Sequence, residues 1–195
     1  YTQRFLEDML SEKFGLDKLI ISKSLRGFYK NPQTIAHKVL ADRMGKRDPG
    51  TKPSVGSRVP FVYIQKKGKV KLQGDRIESP AYIKKHKLKP DYGFYITNQI
   101  KKPILQIFSL LLEQIPVFKK KRELRRKLNS LRREEKSKIH DRLTIEEKAQ
   151  INVKYDSKEM KIRNKYVEDI VFKKSINRSI NMKNNQKTLG SFFGK

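Results

Sequence analysis

Cysteine and tryptophan are both missing from the 195 residues, and only three histidines are present. Without Cys there is no disulfide framework, no Cys-based zinc or cluster site and no thiol nucleophile. His37, His86 and His140 are too widely scattered for a His-based metal motif. Long apolar runs are missing too. The richest stretch, Ile104 to Ile115, is broken by Gln106, Ser109, Glu113 and Gln114, well short of the roughly 18–20 apolar residues a bilayer helix needs. No secretory signal pattern opens the chain, so an intracellular protein is expected, with no membrane partner. The first residue is Tyr1 rather than Met, which leads us to expect a processed chain or a piece of a longer one. The hydrophobic fraction is 36%, against roughly 45–50% for globular domains. A modest core with a polar extension follows.

Positive charge is abundant. Lys and Arg number 47 against 20 Asp and Glu, a formal net charge of +27, which points to a polyanionic partner, nucleic acid before anionic membrane. The charge is spread evenly. Residues 1–118 hold 23 basic and 10 acidic side chains, and residues 119–195 hold 24 and 10. The apolar pattern is uneven, with nearly all the Pro and Gly punctuation and the strong hydrophobic runs before Phe118. We therefore place a folded basic domain at 1–118, a basic helical extension and linker at 119–185, and a short tail at 186–195.

The local patterns predict a mixed fold, mainly α with a few short strands. Phe5 to Leu10 reads as the end of a helix, and Lys18 to Ser22 as a short strand. Asn31-Pro32 reads as a helix start, with Asn as cap and Pro at the first helical position. That helix is expected to bury Ile35, Ala36, Val39 and Leu40 and to stop at Gly45. Val59 to Gln65 alternates as a strand, and Gly68 allows a turn after it. Ser79-Pro80 repeats the cap logic for a helix over 81–85. Tyr92 to Ile115 is the main hydrophobic helix region, begun or kinked at Pro103. Lys119 to Ile139 carries only a thin stripe of Leu124, Leu128 and Leu131, marginal without a partner. Thr144 with Glu147, and Asp156 with Glu159, have capping-box spacing. Asn177 to Asn185 has the composition of a disordered linker. The basic runs 119–122 and 125–127 read as a solvated or DNA-tracking face, or as a nuclear localisation patch. His37 has no acid partner by spacing and reads as a core or surface residue.

The end of the chain holds a compact motif. Gln186 is followed by Leu189 at +3 and by Phe192 and Phe193 at +6 and +7. On one helical turn these three apolar side chains form a plug that fits a groove on another protein. The pattern resembles the PIP box, the peptide that binds sliding clamps of the PCNA type. The resemblance implies that Gln186 seats in a polar pocket while Leu189, Phe192 and Phe193 fill an apolar one. The alternative is that the two phenylalanines dock on the chain's own core.

A longer series precedes it: Ile21-Ser22-Lys23-Ser24-Leu25, Tyr29, Ile35 to Arg43, Gly56-Ser57-Arg58-Val59-Pro60-Phe61, Gly74-Asp75-Arg76-Ile77-Glu78-Ser79-Pro80, and Asp91-Tyr92-Gly93-Phe94-Tyr95-Ile96-Thr97-Asn98-Gln99-Ile100. From about Leu19 to Phe108 this run resembles the thumb region of family B DNA polymerases, in the version found in large DNA viruses. The resemblance implies a grip on primer–template duplex through phosphate contacts, which position without specifying sequence. Lys23, Ser24, Tyr29, Lys38, Arg43, Arg58, Tyr95, Asn98 and Gln99 are the residues expected to make it. For each of them the competing reading is a solvated charge or an internal bond.

The departures also inform. Gly-Asp-Arg-Ile-Pro, common in the family, is Gly-Ser-Arg-Val-Pro at 56–60, so an acid beside Arg58 is missing. The Cys-rich metal modules of cellular replicative members have no counterpart. Neither Asp-x-Asp nor Asp-x-Glu occurs, so the palm motif Tyr-x-Asp-Thr-Asp, which holds two metal ions for phosphoryl transfer, is absent. No catalytic or metal-binding residue is expected in this chain, nor any bound cofactor, and Mg belongs only with a palm outside it. The expected partners are primer–template duplex, a PCNA-type clamp and the rest of a polymerase chain, in the nucleus or at a viral replication site. A stand-alone clamp-tethered accessory protein is the alternative, and a basic helical protein on RNA or anionic membrane is a third reading.

Overall fold

A computed structural model describes residues 1–66, 70–112, 114 and 122–183. The chain forms two compact units, Arg4–Tyr95 and Tyr1–Gln3 with Ile96–Lys195. The fold is mixed and mainly α, with one small antiparallel sheet. The compositional boundary near Phe118, the turn at Gly68 and the motif Gln186, Leu189, Phe192, Phe193 lie outside the described residues.

In Arg4–Tyr95 the order is α1 (Thr2–Leu10, begun in the other unit), β1 (Ile21–Ser24), α2 (Ala36–Arg47), β2 (Arg58–Tyr63), β3 (Ile77–Glu78), α3 (Pro80–His86) and the one-turn α4 (Tyr92–Phe94). The sheet runs β1-β2-β3, with Lys23 opposite Val59, Ser24 opposite Arg58 and Val62 opposite Glu78. Strand alternation sends Val59 and Phe61 inward and leaves Arg58 and Pro60 exposed. Against this sheet an aromatic cluster forms. Tyr63 stacks on Phe94 at 3.8 Å, and Tyr95 meets Tyr63 edge-on at 5.9 Å.

Several elements match the expected signals. Ser79 caps α3, its hydroxyl accepting from the Tyr82 N–H at 3.3 Å, with Pro80 at the first helical position. Others differ for physical reasons. The strand begins at Ile21 instead of Lys18, because residues 16–19 tighten into a 3₁₀ turn that buries Leu19. Asn31 makes no side-chain cap. Pro32–Thr34 is a 3₁₀ turn, Ile35 is extended, and α2 starts at Ala36. Gly45 does not stop α2, which runs to Arg47. There the Asp48-Pro49 pair turns the chain, Asp48 accepting from the Gly50 N–H. Gly45 remains small because a Cβ would meet the Lys52 side chain at 2.8 Å.

In the second unit a π-helical segment, Tyr95–Ile100, leads into α5 (Lys101–Leu111). Pro103 lies in a continuous helical run just past the π segment, whose widened turns accommodate a residue with no N–H. Then come α6 (Arg122–Lys136), α7 (Ile145–Val167), a second π segment (Glu168–Phe172) and α8 (Lys173–Lys183). Both α5 and α6 pack on α7. Thr144 and Glu147 form the full capping box that starts α7. Asp156 and Glu159 do not cap a helix; they lie inside α7, which once nucleated runs on through them. The segment read as linker is helical as far as Lys183. It turns Ser175 and Ser179 inward, small side chains that a buried helix face accommodates.

Candidate nucleic-acid interface

At the end of β1 the alternation exposes Ser24 and the facing Arg58 on one surface, with Lys23 exposed beside them. The ladder continues one step into the loop. The Leu25 N–H donates to the Ser57 carbonyl at 2.9 Å and the Gly56 N–H to the Leu25 carbonyl at 2.7 Å. Gly56 turns the chain at φ +89, a conformation that favours glycine. The Arg58 guanidinium reaches along the strand, donating to Ser22 Oγ at 3.2 Å and to the Ser22 carbonyl at 3.0 Å. It is thus aimed while still exposed.

Tyr29 closes the other side. Its hydroxyl accepts from the Arg26 backbone N–H at 2.7 Å and stands 3.0 Å from His37 Nε2. Burial lowers the His37 pKa, a backbone hydrogen bond with Ser24 opposes this, and the Lys23 and Arg26 charges lower it further. His37 therefore joins the Lys23–Ser24 end of β1 to the Tyr29 loop. Among the described residues the Lys23, Arg26 and Lys30 side chains have no hydrogen-bonded or ion-paired partner. Phe28 stands 84% exposed among them.

Other expected contact residues are engaged within the protein. Arg43 donates to the Ile77 carbonyl at 3.1 Å, to Glu78 Oε2 at 3.2 Å and to the Gly74 carbonyl. Gly74 has to be glycine here, because a Cβ would meet Val39 at 2.7 Å. Arg47 shares Glu78 at 2.9 Å and lies over the Tyr82 ring at 3.7 Å. Lys38 pairs with Asp42 one turn along α2. Tyr95 is buried, donating its hydroxyl to the Leu19 carbonyl at 2.7 Å and accepting from the Tyr63 N–H at 3.0 Å. Burial pushes this phenol up to about 12. Asn98 and Gln99 are exposed in the π segment of the other unit, Asn98 donating to Thr97 Oγ1 at 2.9 Å.

The structure thus gathers Lys23, Ser24, Tyr29 and Arg58 in one place and adds Arg26, Phe28 and His37. The missed signal was Arg26-Gly27-Phe28-Tyr29-Lys30, an aromatic pair bracketed by basic residues. Chemically the cluster offers cations and hydroxyls to anionic oxygens. Among the described residues no three His, Asp or Glu side chains are grouped to hold a metal ion. No described helix is long and apolar enough to cross a membrane.

Comparison with known proteins adds the following. Residues 1–111 match DNA polymerase family B. A DNA polymerase of Pyramimonas orientalis virus is 50% identical over 133 residues, covering 67% of this chain and 11% of that protein. A DNA polymerase of Acanthamoeba polyphaga mimivirus is 49% identical over 118 residues, 58% of this chain and 7% of that protein. The DNA polymerase delta catalytic subunit of Glycine max is 39% identical over 114 residues, 58% of this chain and 10% of that protein. The chain therefore spans roughly a tenth of the length of these relatives.

Proposed function

The chain belongs to DNA polymerase family B, and from that membership we propose that it is the thumb of such a polymerase, gripping primer–template duplex and tethering the enzyme to a sliding clamp. The observation that carries the grip is the cluster at the end of β1, where exposed Ser24 faces exposed Arg58 across the ladder and exposed Lys23 and Arg26 flank it along the chain. Such groups contact phosphate oxygens without reading sequence. A replicative grip needs that indifference. Arg43 and Tyr95 serve it indirectly, by holding α2, the sheet and α4 in place.

Gln186, Leu189, Phe192 and Phe193 are the proposed clamp peptide. The second attachment keeps the duplex-bound domain at high effective concentration, so two weak contacts sustain processive synthesis. The palm and its Mg ions belong to the rest of the polymerase. Nuclear or viral replication sites are the proposed location.

Titration of fluorescent duplex with the full chain tests the grip. Lys23→Gln with Arg26→Gln is expected to weaken binding and to lower the salt slope by about 1.8, from two phosphate contacts at roughly 0.9 each. An unchanged slope overturns the assignment. Phe192→Ala with Phe193→Ala is expected to abolish the heat of binding to a PCNA-type clamp while duplex affinity stays constant. Unchanged heat overturns the clamp assignment.

A further inference from the structure

Beyond the duplex grip, the helical unit contains a cleft that neither the family match nor the tail motif involves. Between α6 and α7 lies a cavity of about 260 Å³, lined by Arg132, Glu135, Lys136, Ile139, Asn152 and Tyr155 among others. Its walls differ in chemistry. On the α6 side Arg132 and Lys136, four residues apart and both exposed, point the same way. Lys136 has no hydrogen-bonded or ion-paired side-chain partner among the described residues, while Arg132 lies in the field of Glu159, the carboxylate that the Tyr155 hydroxyl hydrogen-bonds and Arg163 pairs. The α7 side offers the half-buried Tyr155 ring, the Asn152 amide and the aliphatic Ile151. The one carboxylate in the cavity, Glu135, is already neutralised. Lys158 and Lys138 both donate to it, at 2.5 and 2.9 Å, and those bonds hold its pKa down.

The cations continue along the helix. Arg122, Arg125, Arg126, Arg132, Arg133 and Lys136 occupy exposed positions along one side of α6. Leu124 and Leu131 are buried on the opposite face. From Arg125 to Arg132 is two turns, about 10 Å of helix at roughly 1.5 Å per residue. The acids Glu123 and Glu134 are paired within the helix, to Lys127 and Lys138, and do not neutralise the stripe.

We propose that the cleft between α6 and α7 binds single-stranded nucleic acid, one base resting against Tyr155 with its edge at Asn152 and the flanking phosphates on Arg132, Lys136 and the α6 arginines. A basic track beside an aromatic platform is the physical requirement for single-strand binding without sequence preference. Duplex satisfies only half of it, because its bases are stacked and cannot enter. The cavity volume suits one nucleotide. It is too small for a lipid chain with its headgroup, and the apolar stripe of α6 faces inward instead of toward a bilayer.

The test uses the full chain and an oligothymidylate carrying one 5-iododeoxyuridine. Ultraviolet crosslinking and peptide mass spectrometry are expected to find the adduct on Tyr155; adducts elsewhere with none at Tyr155 overturn the proposal. In anisotropy titrations, Arg132→Gln with Lys136→Gln is expected to lower the single-strand salt slope by about 1.4, at roughly 0.7 per contact. Tyr155→Leu keeps apolar volume and is expected to weaken single-strand binding about tenfold with the slope unchanged. Neither change is expected to alter duplex affinity. Both cations are exposed, so their replacement leaves the fold intact and an unchanged single-strand slope counts against the site. Equal losses for duplex, or displacement of the oligonucleotide by anionic phospholipid vesicles, also overturn it. Lys23→Gln with Arg26→Gln, which reports on the duplex grip, is expected to leave the Tyr155 adduct in place, so the two readings fail separately.

Discussion

In Arg4–Tyr95 two acids are enclosed. Glu78 and Asp91 are 2% and 3% exposed, and they draw Arg43, Arg47 and Arg76 inward. In the helical unit several acids stay on helix surfaces beside a lysine four residues away, as in Glu123–Lys127, Glu134–Lys138 and Lys165–Asp169. Glu135 is the buried exception. The two parts of the sequence carry similar net charge, yet a basic residue in the first is as apt to hold the fold as to meet a ligand. In the second most stand on the surface, although Lys101 and Arg163 are partly enclosed in pairs with Glu168 and Glu159. A buried ion pair is costly to break because the remaining partner is left uncompensated. A surface pair is screened and contributes little. Charge counts alone therefore overstate the DNA-contacting surface of Arg4–Tyr95.

Replacing Glu78 with Ala breaks this comparison most directly. It leaves Arg43 and Arg47 without their anion and the buried Ser79 N–H without its acceptor. A loss of about 3 kcal/mol in urea unfolding is expected, at the lower end for a buried pair because Arg47 is about a third exposed.

Tyr95→Phe comes next. It removes the link to Leu19 and leaves the buried Tyr63 N–H unpaired, at a cost of about 1–3 kcal/mol. The same substitution has a pH signature. Tyr95 titrates at about 12 in the folded protein, above the ordinary value near 10. Its contribution to stability is therefore complete below about pH 10 and is lost as pH rises from there toward 12. Spectrophotometric titration is expected to lose one late-ionising phenol in the variant. If every phenol still ionises as before, Tyr95 is not the enclosed group described here.

The smallest effects are expected in the helical unit. Thr144→Ala removes the capping-box hydroxyl and is expected to cost about 1 kcal/mol. Glu123→Gln, on a fully exposed pair, is expected to leave the urea midpoint unchanged. A midpoint shift for Glu123→Gln as large as that for Glu78→Ala would erase the contrast between the units.

Much of the local structure was legible because short-range chemistry decides it. Ser79-Pro80 and Thr144 with Glu147 start helices by satisfying backbone N–H groups within three residues. The alternation around Phe61 and Tyr63 identifies a strand, although beyond Pro60 both of its faces are buried, Val62 and Ile64 included. Asp156 with Glu159 has the same spacing as a cap but lies inside α7, since the pattern cannot tell whether a helix is already under way. Gly45 reads as a stop, whereas the turn comes at Asp48-Pro49. In the candidate site, Lys23, Ser24 and Arg58 were legible from their place beside strands. Arg26, Phe28 and His37 were not, because they join that site through a loop folded back by Tyr29.

Sequence alone determined the family, the mainly helical class, the excess of positive charge and the absence of paired acids for metal chemistry, since each is a property of residue types and spacing. Only the tertiary structure decided which cations are available. Arg43 and Lys23 look alike in one dimension. Folding brings Gly74, Ile77 and Glu78 to Arg43 across more than thirty positions, while β1 leaves Lys23 at an exposed strand end.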